Sequence, residues 1–149
     1  MSYKLEKPYT EEQYADFVVE HNHNNGRKIE ETLTALWALE ANEILKDGEP
    51  AVNPNYEEEM AAIERERINA LKVTKREFAL ALRDFGITYT NLKELIATNE
   101  NAQLEWDLCV ELERSNPLLD SMAAQMNITP AQIDYIFRKT NGEAVTKPE

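Results

Sequence analysis

The sequence predicts a mainly α-helical fold, with a C-terminal bundle of short helices that follows an N-terminal helix, a small β-hairpin and a charged connecting helix. Three observations support this fold class. Glycine is scarce, with 4 residues in 149, which disfavours a β-rich or loop-dominated design. Helix-capping residues recur along the chain, and apolar residues follow them at helical spacing. Apolar residues make up 42% of the chain, which is enough for a real core.

Helix-capping residues and turn residues divide the chain into four predicted regions. Residues 1–54 contain the N-terminal helix and the hairpin, and residues 55–72 form the connecting helix. Residues 73–142 form a compact helical domain, and residues 143–149 form a flexible tail. This length fits one domain or two very small ones.

The first predicted helix begins after Thr10, because Thr10 and Gln13 fit a capping box. Gly26 is suited to the left-handed conformation that often follows a helix. The letters HNH just before it place His21 and His23 two residues apart, a spacing that does not put them on one helical face. The pattern therefore predicts an exposed helix end and no metal site.

Residues 29–45 fit two interpretations. Ile29, Leu33, Leu36 and Trp37 lie at the spacing of a helical stripe, whereas residues 35–39 would equally form a short buried strand. Both interpretations stay open at this stage.

A hairpin is predicted directly afterwards. Asp47-Gly48 stands between two short apolar stretches, which is a strong signal for a two-residue β-turn. Pro50 would then lie on an edge of the pairing or just outside it.

The connecting helix is predicted to begin with a capping box of Asn55 and Glu58. It is heavily charged, and its apolar stripe is narrow. It would serve as a connector, or it would pack against a second copy of the chain and form a homo-oligomer through residues 56–71. Glu57 and Glu64 are the candidate partner-binding residues on this helix.

Five short helices are predicted in the compact domain. Each follows a residue that commonly caps helices: Thr74, Thr88, Asn99, Asn116 and Thr129. The third is expected to carry Leu104, Leu108, Val110 and Leu112 on its apolar side. Cys109 would then be a small buried hydrophobic residue of that helix and not a nucleophile.

The last two helices resemble a helix-turn-helix motif over about 20 residues. Ala123 would allow a close helix crossing, Asn127 would tolerate unusual turn angles, and Ile133 would face the first helix. Gln132, Tyr135 and Arg138 are candidate partner-binding residues on the outer face of the second helix. Asp134 on that same face disfavours contact with phosphates, so the pair is interpreted mainly as a way to close a core.

The charge balance disfavours nucleic acid as a partner. The formal charge is −12, from 28 acidic and 16 basic residues, and both halves of the chain are acidic. Nucleic-acid binding normally needs several lysines or arginines on one face. An acidic surface favours solubility, basic partners or imitation of nucleic acid.

No signature of catalysis or of cofactor binding occurs in the sequence. The Walker loop, the dinucleotide fingerprint, paired CxxC and HExxH are absent, so the sequence predicts a protein that is not an enzyme and has no catalytic, cofactor-binding or metal-binding residues. No apolar run is long enough to cross a membrane. The first residues lack an apolar signal segment, which predicts a protein that no signal peptide exports.

Three segments of the chain resemble small proteins of tailed phages and prophages of gut Firmicutes. They are YKLEKPYTEEQYADFVVEHN, ALWALEANEILKDGEPAVNPNYE and AQLEWDLCVELERSNPLLDSMAAQMNITPAQIDYIFRKTNGE. Together they cover most of the chain. Such proteins tend to be encoded near tail-fibre and lysis genes, so the resemblance implies a phage protein of the host cytoplasm or the virion. It carries over no functional residues.

Three functions are therefore weighed, in this order. The first is a non-enzymatic, tail-associated protein or tail-fibre assembly factor that binds a protein, either a phage tail component or a host protein. The second is an acidic mimic of nucleic acid that inhibits a host defence nuclease. The third is a helix-turn-helix regulator that binds DNA.

Overall fold

The computed structural model describes all residues, 1–149, and shows a mixed α/β protein. Seven α-helices make the chain 51% helical, while seven strands in three small sheets account for 18%. The predicted mainly α fold class, with a small β-hairpin beside the helices, is therefore wrong. The chain divides into two compact units, residues 1–60 (the N-terminal unit) and residues 61–149 (the C-terminal unit).

The N-terminal unit is built on a three-stranded antiparallel sheet. Strands β1 (Tyr3–Glu6), β2 (Lys28–Glu31) and β3 (Ala35–Leu39) lie in the order β1-β3-β2. All five residues of β3 are buried. This confirms the strand interpretation of residues 35–39. A central strand that is covered on both faces has no polar side, so its residues do not alternate between apolar and polar.

Helix α1 (Glu11–Val18) begins with the predicted capping box of Thr10 and Gln13, and a π-helical turn, Val19–His23, continues it. His21 is 7% exposed, and its ring lies 4.4 Å from that of Tyr3 and 4.5 Å from that of Phe17, measured between centroids. The prediction of an exposed helix end is wrong for His21, because the turn places its imidazole in an aromatic cluster.

The predicted hairpin is confirmed. Strands β4 (Glu43–Lys46) and β5 (Glu49–Val52) pair across Asp47 and Gly48, which have φ angles of 54° and 80°. Such positive angles match a two-residue hairpin turn. Pro50 lies inside the ladder, opposite Leu45.

Helix α2 (Tyr56–Asn69) matches the predicted charged helix, and the boundary between the two units falls within it. The Asn53 side chain, and not the predicted Asn55–Glu58 box, organises its start. The Asn53 Oδ1 accepts from the Asn55 N–H at 3.0 Å, and Nδ2 donates to Glu59 at 2.9 Å.

The C-terminal unit packs five helices around a two-stranded sheet. The helices are α3 (Lys75–Leu82), α4 (Tyr89–Ala97), α5 (Glu100–Leu108), α6 (Pro117–Gln125) and α7 (Pro130–Thr140). All five predicted capping residues accept hydrogen bonds from the first turns of these helices. The core includes Phe78, Leu82, Leu92, Ile96, Ile133, Ile136 and Phe137.

The sheet of this unit corrects the prediction for the third helix. Strand β6 (Lys72–Thr74) pairs with strand β7 (Glu111–Glu113), and Leu112 lies opposite Val73 with both side chains buried. Helix α5 therefore ends at Leu108. The other three residues of its expected apolar side are exposed, with Leu104 at 56%, Leu108 at 74% and Val110 at 81%. Cys109 follows the helix end and is half-buried.

Candidate protein-binding groove

The fold itself uses the candidate partner-binding residues of α7. The side chain of Tyr135 is 9% exposed and packs edge-on against the ring of Phe85. The Gln132 side chain accepts from the Thr129 N–H at 2.9 Å, which completes a capping box. The Arg138 Nε donates to Glu143 at 3.1 Å.

Asp134 joins α7 to two arginines of the same unit. Arg65 donates to its two carboxylate oxygens at 2.7 and 3.0 Å, and the Nε of Arg114 donates at 2.6 Å. Arg114 is 5% exposed. Burial disfavours the charged carboxylate, but the hydrogen bonds from both arginines outweigh it, so the pKa of Asp134 is lowered. These contacts favour the interpretation of α6 and α7 as core-closing helices.

The candidate partner-binding residues Glu57 and Glu64 of α2 do not form one site with the candidate residues of α7. Glu57 is exposed on the first turn, and Glu64 forms a bidentate pair with Arg67 at 2.8 Å. This hydrogen bonding lowers the pKa of Glu64. Of the α7 candidates, only Arg138 reaches Glu64, at 4.0 Å.

A larger feature lies elsewhere on the C-terminal unit, in a groove between α3, the start of α4 and α5. The groove has a volume of about 690 Å³. We call it the α3–α5 groove. Its lining comprises Lys75, Arg76, Ala79, Leu80, Arg83, Thr88, Tyr89 and Trp106.

The α3 wall of the α3–α5 groove follows from helical periodicity. Arg76, Ala79, Leu80 and Arg83 lie at positions i, i+3, i+4 and i+7, so they share one face of the helix and of the turn that continues it. The opposite face carries the core residue Phe78. The helix is fixed at its start by the capping box of Thr74 and Glu77. The prediction from the sequence does not include this stripe, because it rests on the apolar residues of the buried face.

The floor of the α3–α5 groove is apolar and partly open to solvent. Leu80 is 43% exposed and Tyr89 is 53% exposed, while Trp106 is half-buried against the core. Exposed large apolar side chains that cluster in a concave surface are typical of binding sites.

Three cations surround this floor, and no carboxylate lines it. The Lys75 Nζ donates to the Trp106 carbonyl at 2.7 Å and lies 5.7 Å from the centroid of the Trp106 ring. Arg76 and Arg83 are exposed and form no ion pair. The α3–α5 groove is therefore locally positive, although the C-terminal unit has 14 acidic and 11 basic residues, a net charge of −3.

The chemistry of this lining is suited to binding. Arginine and aromatic side chains are enriched where proteins bind other proteins, because they combine apolar area with polar contacts. No carboxylate, histidine or cysteine lines the groove.

No group of three or more His, Cys, Asp and Glu side chains is arranged to hold a metal ion. None of the helices combines the length and apolar character that are needed to span a bilayer.

No protein-family profile, curated protein or solved structure matches this chain.

Proposed function

We propose that this protein is not an enzyme and works by binding a protein segment through the α3–α5 groove. The observation that carries the proposal is the concave apolar floor of Leu80, Tyr89 and Trp106, which is flanked by cations without carboxylate partners. A protein segment can bury this floor and pair with the cations at its rim.

Site-specific photo-crosslinking tests the proposal. A photoreactive phenylalanine analogue replaces Tyr89 in the groove, and a control variant carries it in place of the exposed Leu33 in the N-terminal unit. Irradiation in the native host should give one discrete protein adduct from position 89 only. Leu80→Glu should abolish the adduct, because it places a charge on the apolar floor. Equal adducts at both positions, or no adduct at position 89, would contradict the proposal.

The resemblance to proteins of tailed phages directs where the partner is sought. We propose that the protein associates with a phage tail component or acts in tail-fibre assembly. Mass spectrometry of purified particles tests this part, because a tail-associated protein should be detected at a fixed ratio to the tail proteins. A protein found only in the lysate and never in particles or assembly intermediates would exclude tail association while leaving the groove proposal intact.

A second candidate, inhibition of a host defence nuclease by an acidic surface, is supported by the charge of the N-terminal unit. Residues 1–60 hold 14 acidic and 5 basic residues, a net charge of −9. Inhibition of such a nuclease should weaken steeply as salt is added. Inhibition that salt leaves unchanged would exclude charge mimicry.

The third candidate, DNA binding, gains no support from α7, where Tyr135 is buried and Asp134 is paired with arginines. A mobility-shift assay at low salt tests it.

A further inference from the structure

We propose that the occupant of the α3–α5 groove is the acidic helix α2 of a second copy of this chain. This inference rests on the proposed function, because it requires the groove to bind protein. It names the partner as the chain itself.

The first half of α2 is largely exposed in the structure. Every residue from 57 to 64 is exposed, so two full turns of the helix contact no other element closely enough to be buried. A 14-residue helix is marginal in water without tertiary contacts, because most helical stability in proteins comes from packing of one face. This helix therefore presents an unused surface.

That surface has an apolar stripe. Tyr56, Met60 and Ile63 lie at positions i, i+4 and i+7; Tyr56 is half-buried, while Met60 is 40% exposed and Ile63 is 58% exposed. Such spacing is typical of helices that dock into an apolar groove. The stripe would lie on the floor formed by Leu80, Tyr89 and Trp106.

The charges beside the stripe complement those of the groove. At 100° per residue, Glu57 and Glu59 flank the stripe on its two sides, whereas Glu58 points away from it. All three are exposed and none forms a salt bridge, while Glu59 also accepts the hydrogen bond from Asn53 at 2.9 Å. The flanking carboxylates can face Arg76 and Arg83, which also have no ionic partner.

Charge also argues against a basic occupant. A basic peptide would meet three uncompensated cations at the α3–α5 groove. The overall charge of −12 opposes association of two copies at long range, but salt at physiological strength screens charges beyond about 8 Å. The local charge complementarity of the α3–α5 groove and α2 then decides whether two copies associate.

Charge reversal on the full-length chain tests this contact. The groove variant carries Arg76→Glu and Arg83→Glu, and the helix variant carries Glu57→Lys and Glu59→Lys. The matched controls are Glu58→Lys, on the same turn of α2, and Lys46→Glu with Lys72→Glu, which reverses two exposed cations outside the groove. Circular dichroism checks that each variant is folded.

Sedimentation velocity over a range of concentrations gives the readout. Wild type and both controls should self-associate. The groove variant and the helix variant should each associate at least about tenfold more weakly, because like charges then face each other across the contact. A mixture of these two variants should associate again, since the reversed groove matches the reversed helix and the two native surfaces match each other.

Three results would overturn the inference: wild-type protein that stays monomeric at every concentration, association that both reversals leave unchanged, or a mixture that does not recover. Monomeric wild-type protein with a discrete adduct of a different protein at position 89 would refute the second copy as the occupant while supporting the proposed function. No self-association together with no adduct would refute both.

Discussion

Asp134 is the residue that fixes α7 most directly to the rest of the C-terminal unit. It accepts hydrogen bonds from Arg65 and from the buried Arg114, so its carboxylate is the closest counter-charge of a guanidinium that is only 5% exposed. The sequence shows an aspartate on the outer face of a helix and gives no sign of these distant arginines. Its burial could not be predicted, because residues 69 and 20 positions away supply its partners.

The substitution Asp134→Asn tests this role. We expect it to lower the free energy of unfolding by about 2 kcal/mol, because it leaves the buried Arg114 without its closest counter-charge. Urea denaturation provides the measurement. Asp120 is the matched control: it also pairs with Arg114, at 3.2 Å, but is 53% exposed, so Asp120→Asn should cost less than about 1 kcal/mol. Equal losses for both variants would contradict the assigned role.

The lowered pKa of Asp134 also predicts a pH dependence. A carboxyl group with a lower pKa in the folded state than in the unfolded state stabilises the fold above its unfolded pKa of about 3.9. That contribution is lost as the pH falls from there through the folded pKa. Urea titrations of wild type and Asp134→Asn should therefore differ most above about pH 4 and converge at lower pH. A difference that is constant down to the folded pKa would contradict this explanation.

At the scale of the elements, local signals were predictable and distant pairing was not. The caps at Thr10, Thr74 and Thr129 involve residues three positions apart, so the sequence displays both partners. Strand β7 pairs with β6 across nearly forty residues, and nothing near Leu112 distinguishes that strand from a helix continuation.

The candidate site likewise has a part that can be predicted from the sequence and a part that cannot. The α3 stripe with Arg76 and Leu80 can be read from helical spacing, but its meeting with Tyr89 and Trp106 depends on how three helices pack. The α7 candidates were chosen because a helix pair often presents its second helix to a ligand. In this chain the core takes up much of that helix instead.

Alanine substitutions distinguish the observed strand from the predicted helix. Leu112→Ala should lower the free energy of unfolding by about 2 to 3 kcal/mol, because Leu112 is 5% exposed and packs in the core. Leu108→Ala removes the same atoms from a side chain that is 74% exposed and should change stability by less than about 0.5 kcal/mol. Thermal and urea unfolding would show the contrast, and similar effects at both positions would support a continuous helix instead.

At the scale of the whole molecule, each unit has its own core and the two cores differ in size. Five buried apolar residues lie in the N-terminal unit and sixteen in the C-terminal unit. A unit of 60 residues buries a smaller fraction of its surface than a larger one, so its stability is more marginal.

The two tryptophans allow this difference to be measured, since Trp37 lies in the N-terminal unit and Trp106 in the C-terminal unit. The variant Trp106→Phe retains the first reporter, and Trp37→Phe retains the second. Fluorescence-detected urea unfolding of the first variant should give the lower midpoint. Each substitution also perturbs the unit that has lost its tryptophan, so the surviving reporter is read only in its own unit. Coincident midpoints would show that the chain unfolds as one cooperative block.

Strands β6 and β7 pair with each other, so residues 75–110 form a loop that leaves the sheet at Thr74 and returns to it at Glu111. Cleavage of one peptide bond within such a loop does not separate its two paired ends. Proteolytic cleavage between Thr98 and Asn99, at the junction of α4 and α5, would leave two fragments that the ladder and the shared core hold together. Foreign sequence inserted at that junction should therefore leave the ladder and the shared core in place.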